Sequence, residues 1–237
     1  MATSSDLDRA VTAAESAFER WSQVPIEERR TALFAYADAL NAEKEGFTNL
    51  LTREQGKPLA QAAFEVESAV TWINGLACLE LPETILEETA ERKIVQRFTP
   101  LGVAAAIVPW NFPILLAIGK LTSALITGNC IIIKPSPFTP YCALKLAELA
   151  IPFFPKGVVQ ALSGDDNLGP LLTQHPGIRK ISFTGSTETG KLVAASCAKT
   201  LKHCTLELGG NDPAIVCDDV DIDQVVQKVN PWRIISE

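Results

Sequence analysis

Over residues 1–82 the apolar positions recur at helical spacing, with polar residues filling the gaps. Asp8–Trp21 places Ala10, Val11, Ala14, Ala17, Phe18 and Trp21 on one face, which predicts an amphipathic helix. Pro25 opens a second helix, with Glu27 and Glu28 in the first turn where the helix dipole favours carboxylates. Its stripe runs through Leu33, Phe34, Ala37 and Leu40, and Gly46 is its expected stop. Gly56-Lys57-Pro58 breaks the chain before a third long helix that reaches about Ala77.

The pattern then changes. In residues 83–100, Thr84–Leu86 and Lys93–Phe98 read as two short strands around a charged turn, Glu87–Arg92. Two strands alone are marginal in water, so this β-arm is expected to pair with another chain or domain. From Leu101 strand and helix alternate. Val103–Val108 is continuously apolar, as in a strand buried on both faces. Pro113 suits a first helical position, and its helix runs to Gly128-Asn129. Ile131–Ile133 is the next strand, followed by a helix from about Thr139 to Leu149 and a strand over Gly157–Leu162. Ile181–Phe183, a helix from Ser186, the strands Thr205–Leu208 and Ala214–Val216, and a helix from Asp221 to Val229 complete the series. The alternation predicts an α/β fold: a Rossmann-like parallel sheet with flanking helices over residues 101–229, binding ligands at the carboxyl ends of its strands.

Composition narrows the partners. The 237 residues carry a net charge of −7 with acids and bases interspersed, and no basic stripe invites nucleic acid. No signal-peptide pattern opens the chain, and the longest apolar stretches, such as Phe112–Ile118, are too short to span a bilayer. A soluble, cytoplasmic protein is therefore expected. The six cysteines form no CxxC pair, and with only two histidines no metal site is expected.

Four segments carry candidate chemistry. Gly185–Lys191 matches the GxxxxGK opening of a phosphate loop, but Leu192 stands where that motif needs a hydroxyl for magnesium. An NTPase is thereby disfavoured. The segment still makes an anion site: Gly185 allows close backbone approach, and Ser186 can cap a helix whose free N–H groups face a phosphate. An ordinary strand-to-helix turn is the plainer alternative. Lys134, at the end of an isoleucine strand, either snorkels to the surface or reaches ribose hydroxyls or phosphate. Asn111 either caps a helix or donates an N–H to a developing oxyanion. Glu207, in the apolar Thr205–Leu208 segment, is expected to be buried at a strand end, where a carboxylate needs a partner or a task.

In order and spacing, Pro109-Trp-Asn-Phe-Pro113, Lys134-Pro-Ser136, Phe183–Gly190 and Glu207-Leu-Gly-Gly210 resemble the aldehyde dehydrogenase superfamily, over about Leu7–Val229. The resemblance implies an oxidoreductase converting aldehydes to carboxylic acids with NAD or NADP. It assigns Asn111 to the oxyanion hole and Glu207 to the general base. A cysteine thiolate would attack the aldehyde, hydride would pass to the cofactor, and Glu207 would activate water against the thioester. It further implies cofactor contacts from Val108, Pro109, Trp110, Lys134, Ser136, Gly164, Gly185, Ser186, Leu208 and Gly209. The family's nucleophile is expected roughly 30 to 35 residues beyond the glutamate. Asn230–Glu237 departs from the expected approach to it, so a truncated, inactive form without the catalytic domain is expected. The alternative is a non-catalytic protein that binds a dinucleotide, or that pairs with a second copy or an intact family member through the β-arm. Cys204 is excluded as a substitute, because i and i+3 on one strand face opposite sides. Pro137 stands where the family often has a ribose-binding glutamate, which removes one repulsion against a 2′-phosphate and leaves NAD against NADP open.

Overall fold

In the computed structural model, which describes residues 1–226, four helices come first: α1 (Ser4–Trp21), α2 (Ile26–Ala42), α3 (Lys44–Gln55) and α4 (Leu59–Ala77). An antiparallel hairpin follows, β1 (Thr84–Glu88) with β2 (Lys93–Gln96), and its residues are almost all exposed. The remainder alternates: β3 (Val103–Ile107), α5 (Pro113–Ile126), β4 (Cys130–Lys134), α6 (Tyr141–Leu149), β5 (Val159–Ala161), α7 (Leu168–Gln174), β6 (Ile178–Gly185), α8 (Thr187–Ala198) and β7 (His203–Leu208).

The five later strands form one parallel sheet in the order β5-β4-β3-β6-β7. β3 lies at its centre with all but one residue buried, and β4 beside it is buried throughout. Three isoleucines on β4 supply apolar volume, while the alanines of β3 let helices approach closely on both faces. Right-handed crossovers place α5 and α6 on one face and α7 and α8 on the other. α1 packs on β3, β4 and α7, while α4 packs along α5. The chain winds outward from β3 to β5, then returns to β6 and winds the other way. The reversal puts a switch point between the carboxyl ends of β3 and β6.

Several expectations need correction. The second helix does not stop at Gly46: α2 ends at Ala42, Glu43 bends the backbone, and Gly46 lies inside a separate helix, α3. Burial of Phe47 and Leu51 rewards that helix more than one glycine costs it. The short helix α7 was not expected, because Gly169 and Pro170 read as loop; Pro170 is tolerated in a first turn, where Leu168 and Leu172 are buried. Ala214–Val216 is not a strand. β7 ends the sheet among the described residues, and Ile215 is exposed. For the same reason Glu207 is exposed rather than buried. Residues 222–226 begin the helix expected from Asp221. The rest of that helix and the expected departure from family pattern at Asn230–Glu237 lie outside the described residues.

Candidate active site at the carboxyl edge of the sheet

Because all five strands are parallel, their carboxyl ends share one edge. That edge gathers every residue singled out from the sequence: Val108 to Asn111 after β3, Lys134 and Ser136 after β4, Gly164 after β5, Gly185 and Ser186 after β6, and Glu207 to Gly209 at the end of β7. Val108 is pinned there, donating its N–H to the Lys134 carbonyl at 3.0 Å. Pro109 is half-buried and Trp110 exposed. Ser136 and Gly164 are buried beneath the edge.

A cavity of about 650 Å³ opens at the switch point, lined by Ile107 of β3, Phe183 of β6, Lys134, Asp166 and the α8 residues Thr189 and Val193. Lys134 is only 6% exposed, and among the described residues its ammonium has one acceptor, the Pro135 carbonyl at 3.3 Å. A buried ammonium with two unused donors calls for a ligand. Burial holds its pKa below the ordinary lysine range, partly offset by Asp166 and then Asp165. Lys134 is thus a buried lysine at the cavity wall, not a snorkelling surface one.

Gly185 and Ser186 form the turn into α8. A Cβ on Gly185 would stand 2.6 Å from the Phe183 ring, so the turn accepts no larger residue without shifting that ring. Ser186 Oγ accepts the Thr189 N–H at 3.2 Å, while the other first-turn N–H groups have no acceptor within the helix. Thr184 Oγ1, one residue before the turn, is buried without a partner among the described residues. Leu208 packs over Gly190, where a Cβ would lie 2.4 Å from its Cδ2; Gly209 stands in open space. Of the expected cofactor contacts, only Lys134 lines the cavity directly, and the others stand at the ends of the strands or in the segments that follow them.

Asn111 does not act as the helix cap. Its Oδ1 accepts only the Phe112 N–H, at 3.0 Å, and its Nδ2 has no protein acceptor among the described residues. The cap comes from elsewhere: Glu65, deep in α4, accepts the N–H groups of Ile114 and Leu115 at 2.9 and 3.1 Å. Lys57 pairs with the same carboxylate at 2.5 Å, donates to the Asn111 carbonyl at 2.8 Å and sits 3.8 Å above the Phe112 ring. Burial raises the Glu65 pKa, and Lys57 with the two backbone donors opposes that rise. The backbone of Asn111 is therefore fixed while its amide stays free to donate.

Glu207 lines a second cavity of about 390 Å³ on the α5 side of the sheet, together with Lys120, Lys180, Ser182 and Thr205. Lys120 donates to Ser182 Oγ at 3.0 Å; burial brings its pKa down to about 8, Glu207 opposes that fall and Lys180 adds to it. Cys204 lies on the other face, its sulfur against Cys197 of α8, so no thiol of β7 accompanies Glu207. Among the described residues, no group of three or more His, Cys, Asp or Glu side chains is placed to hold a metal ion. No helix there is long and apolar enough to cross a membrane.

The family model for the aldehyde dehydrogenase family matches residues 1–235. The chain belongs to the aldehyde dehydrogenase family. Its relatives include aldehyde dehydrogenase LUC3 of a Fusarium species, 47% identical over 229 residues, covering 97% of this chain and 48% of that protein. The NADP-dependent succinate-semialdehyde dehydrogenase GabD of Escherichia coli strain K12 is 40% identical over 223 residues, with 92% of this chain and 46% of the enzyme covered. The crystal structure of PnpE in complex with nicotinamide adenine dinucleotide superposes with a TM-score of 0.91 at 34% identity, over 94% of this chain and 47% of the other. The chain spans about half the length of the curated relatives it matches.

Three residues of this family member escaped sequence reasoning. Lys57 and Glu65 stand eight positions apart, an unremarkable spacing across a helix start, and only the fold turns them onto Asn111. Lys120 lies in the apolar run of α5, where a lone lysine surrounded by buried residues was the available signal.

Proposed function

We propose that this chain is the nucleotide-binding part of an aldehyde-oxidising dehydrogenase, holding NAD or NADP at the carboxyl edge of its sheet. The observation that carries the reading is the switch-point cavity with the under-satisfied, buried Lys134 in its wall. The cofactor, when bound, supplies the hydride acceptor. Lys134 would donate to ribose hydroxyls or phosphate, and the first-turn N–H groups of α8 would face the pyrophosphate. The Asn111 amide, free on its Nδ2 side, is suited to an oxygen on which negative charge develops. Glu207, exposed and ionisable beside Lys120, is suited to take a proton from water.

Among the described residues no cysteine accompanies Asn111 and Glu207. The nucleophile and the aldehyde pocket would therefore come from other sequence, and the chain alone is expected to bind nucleotide without turnover. All six cysteines are free thiols, as suits a reducing, cytoplasmic setting. A second reading, a non-catalytic partner-binding protein, is favoured by the exposed Ile85, Leu86 and Phe98 of the β-arm. That arm would engage a second copy or an intact family member.

The test combines nucleotide titration with aldehyde-oxidation assays using NAD and NADP and a panel of aliphatic and aromatic aldehydes. Binding without turnover is the expected result. Turnover abolished by Glu207→Gln would make the chain catalytic by itself, and absence of binding would remove the nucleotide reading.

A further inference from the structure

The geometry points to Asp166 as the residue that selects NAD over NADP in this chain, by accepting the ribose 2′-hydroxyl and repelling a 2′-phosphate. The inference rests on the nucleotide reading of the switch-point cavity and deepens it. Pro137, on the Lys134 side, brings no carboxylate to the rim and is exposed. The opposite side brings two, Asp165 and Asp166, on the loop that follows β5 and Gly164.

The two carboxylates are not equivalent. Asp165 is engaged locally, accepting the Asn167 N–H at 3.0 Å and the Asn167 amide at 3.1 Å, and so holds the loop. Asp166 has no hydrogen-bond or ion-pair partner among the described residues, and it lines the same cavity as Lys134. Both carboxylates lie near enough to favour the charged form of the Lys134 ammonium, Asp166 more strongly. One cation thus faces two anions, and the local balance is negative where a ribose would sit. A hydroxyl between Lys134 and Asp166 can accept from one and donate to the other. A phosphate in that place meets, beside the Lys134 ammonium, a free carboxylate that repels it.

Lys199 also lines the cavity but belongs to its other end. α8 runs back across the sheet from the carboxyl edge, and its 12 residues carry Lys199 roughly 18 Å from the Ser186 turn.

Calorimetric titration of the full chain with NAD and with NADP, repeated on Asp166→Asn, tests the assignment. Asp166 is exposed, so the variant is expected to fold as the wild type does. The wild type should bind NAD at least tenfold more tightly than NADP, and Asp166→Asn should lower that ratio at least fivefold, chiefly by tightening NADP. Equal affinities in the wild type, or an unchanged ratio in the variant with NAD still bound, would overturn the role of Asp166 alone. Failure of the wild type to bind either nucleotide would overturn it together with the nucleotide reading.

Discussion

The ammonium of Lys57 and the carboxylate of Glu65 meet at 2.5 Å with side chains 4% and 0% exposed, and together they clamp the loop that carries Asn111. The pair belongs to the helical layer, yet both partners spend their remaining bonds on the Rossmann-like part. A neighbouring carboxylate does the same: Glu54 of α3 accepts the N–H groups of Tyr141 and Cys142 and so caps α6. Neither α5 nor α6 has a side-chain cap of its own. The two layers are thus joined by charge as well as by apolar packing, with helix-dipole attraction favouring each carboxylate.

Removing one partner of this pair strands the other. Lys57→Met or Glu65→Gln is expected to destabilise the chain by about 3–5 kcal/mol, the usual cost of a buried charge left unpaired. The double variant Lys57→Met/Glu65→Gln should be more stable than the sum of its single changes implies, because the uncompensated charge is gone. Urea denaturation of the four proteins checks this, and additive effects would deny the coupling.

The cap at Ser186 is local and its effect should be smaller. Ser186→Ala removes the acceptor of the Thr189 N–H and is expected to cost about 1 kcal/mol, while Ser186→Gly costs only a few tenths. Denaturation midpoints of the two variants would separate these values.

Lys120 gives stability a pH dependence with a definite sign. Its folded-state pKa lies near 8, below its ordinary 10.5, so the unfolded chain holds more protons between those values. The contribution of Lys120 therefore rises with pH across that window and is least favourable below pH 8. Wild type should gain on Lys120→Met as pH increases from 8 to 10. A difference between the two proteins that stays flat with pH would contradict the assignment.

The β1–β2 arm is expected to drive association. Its exposed Ile85, Leu86 and Ile94 and unpaired strand edges offer a ready template for another chain. Light scattering should detect assemblies at tens of micromolar, reduced by Ile85→Lys and Ile94→Glu; a monodisperse monomer would contradict the expectation.

How much of this was legible in the sequence depended on whether the signal was local. The strand-helix alternation from Leu101 onward could be read because buried parallel strands are continuous apolar runs, as Ile131–Ile133 is. The gathering of Lys134, Gly185 and Glu207 on one edge followed from the parallel order, since each stands at a strand end. What could not be read depended on distant contacts. The exposure of Glu207 reflects the edge position of β7, which its apolar neighbours do not reveal. The capping roles of Glu54 and Glu65 join residues 49 to 88 positions apart, and nothing near either glutamate marks it as a cap. The break between α2 and α3 turned on burial of Phe47 and Leu51, against the local preference of Gly46.

Hydrogen–deuterium exchange of the chain with and without saturating NAD tests the central claim, nucleotide binding at the switch point, most directly. Protection is expected in residues 107–111, 133–139 and 183–193, which form the edge and the start of α8. A separate groove of about 630 Å³ between α3 and α6, lined by Phe47, Arg53 and Lys145, serves as the internal comparison. Protection confined to that groove, or none at all, would contradict the account.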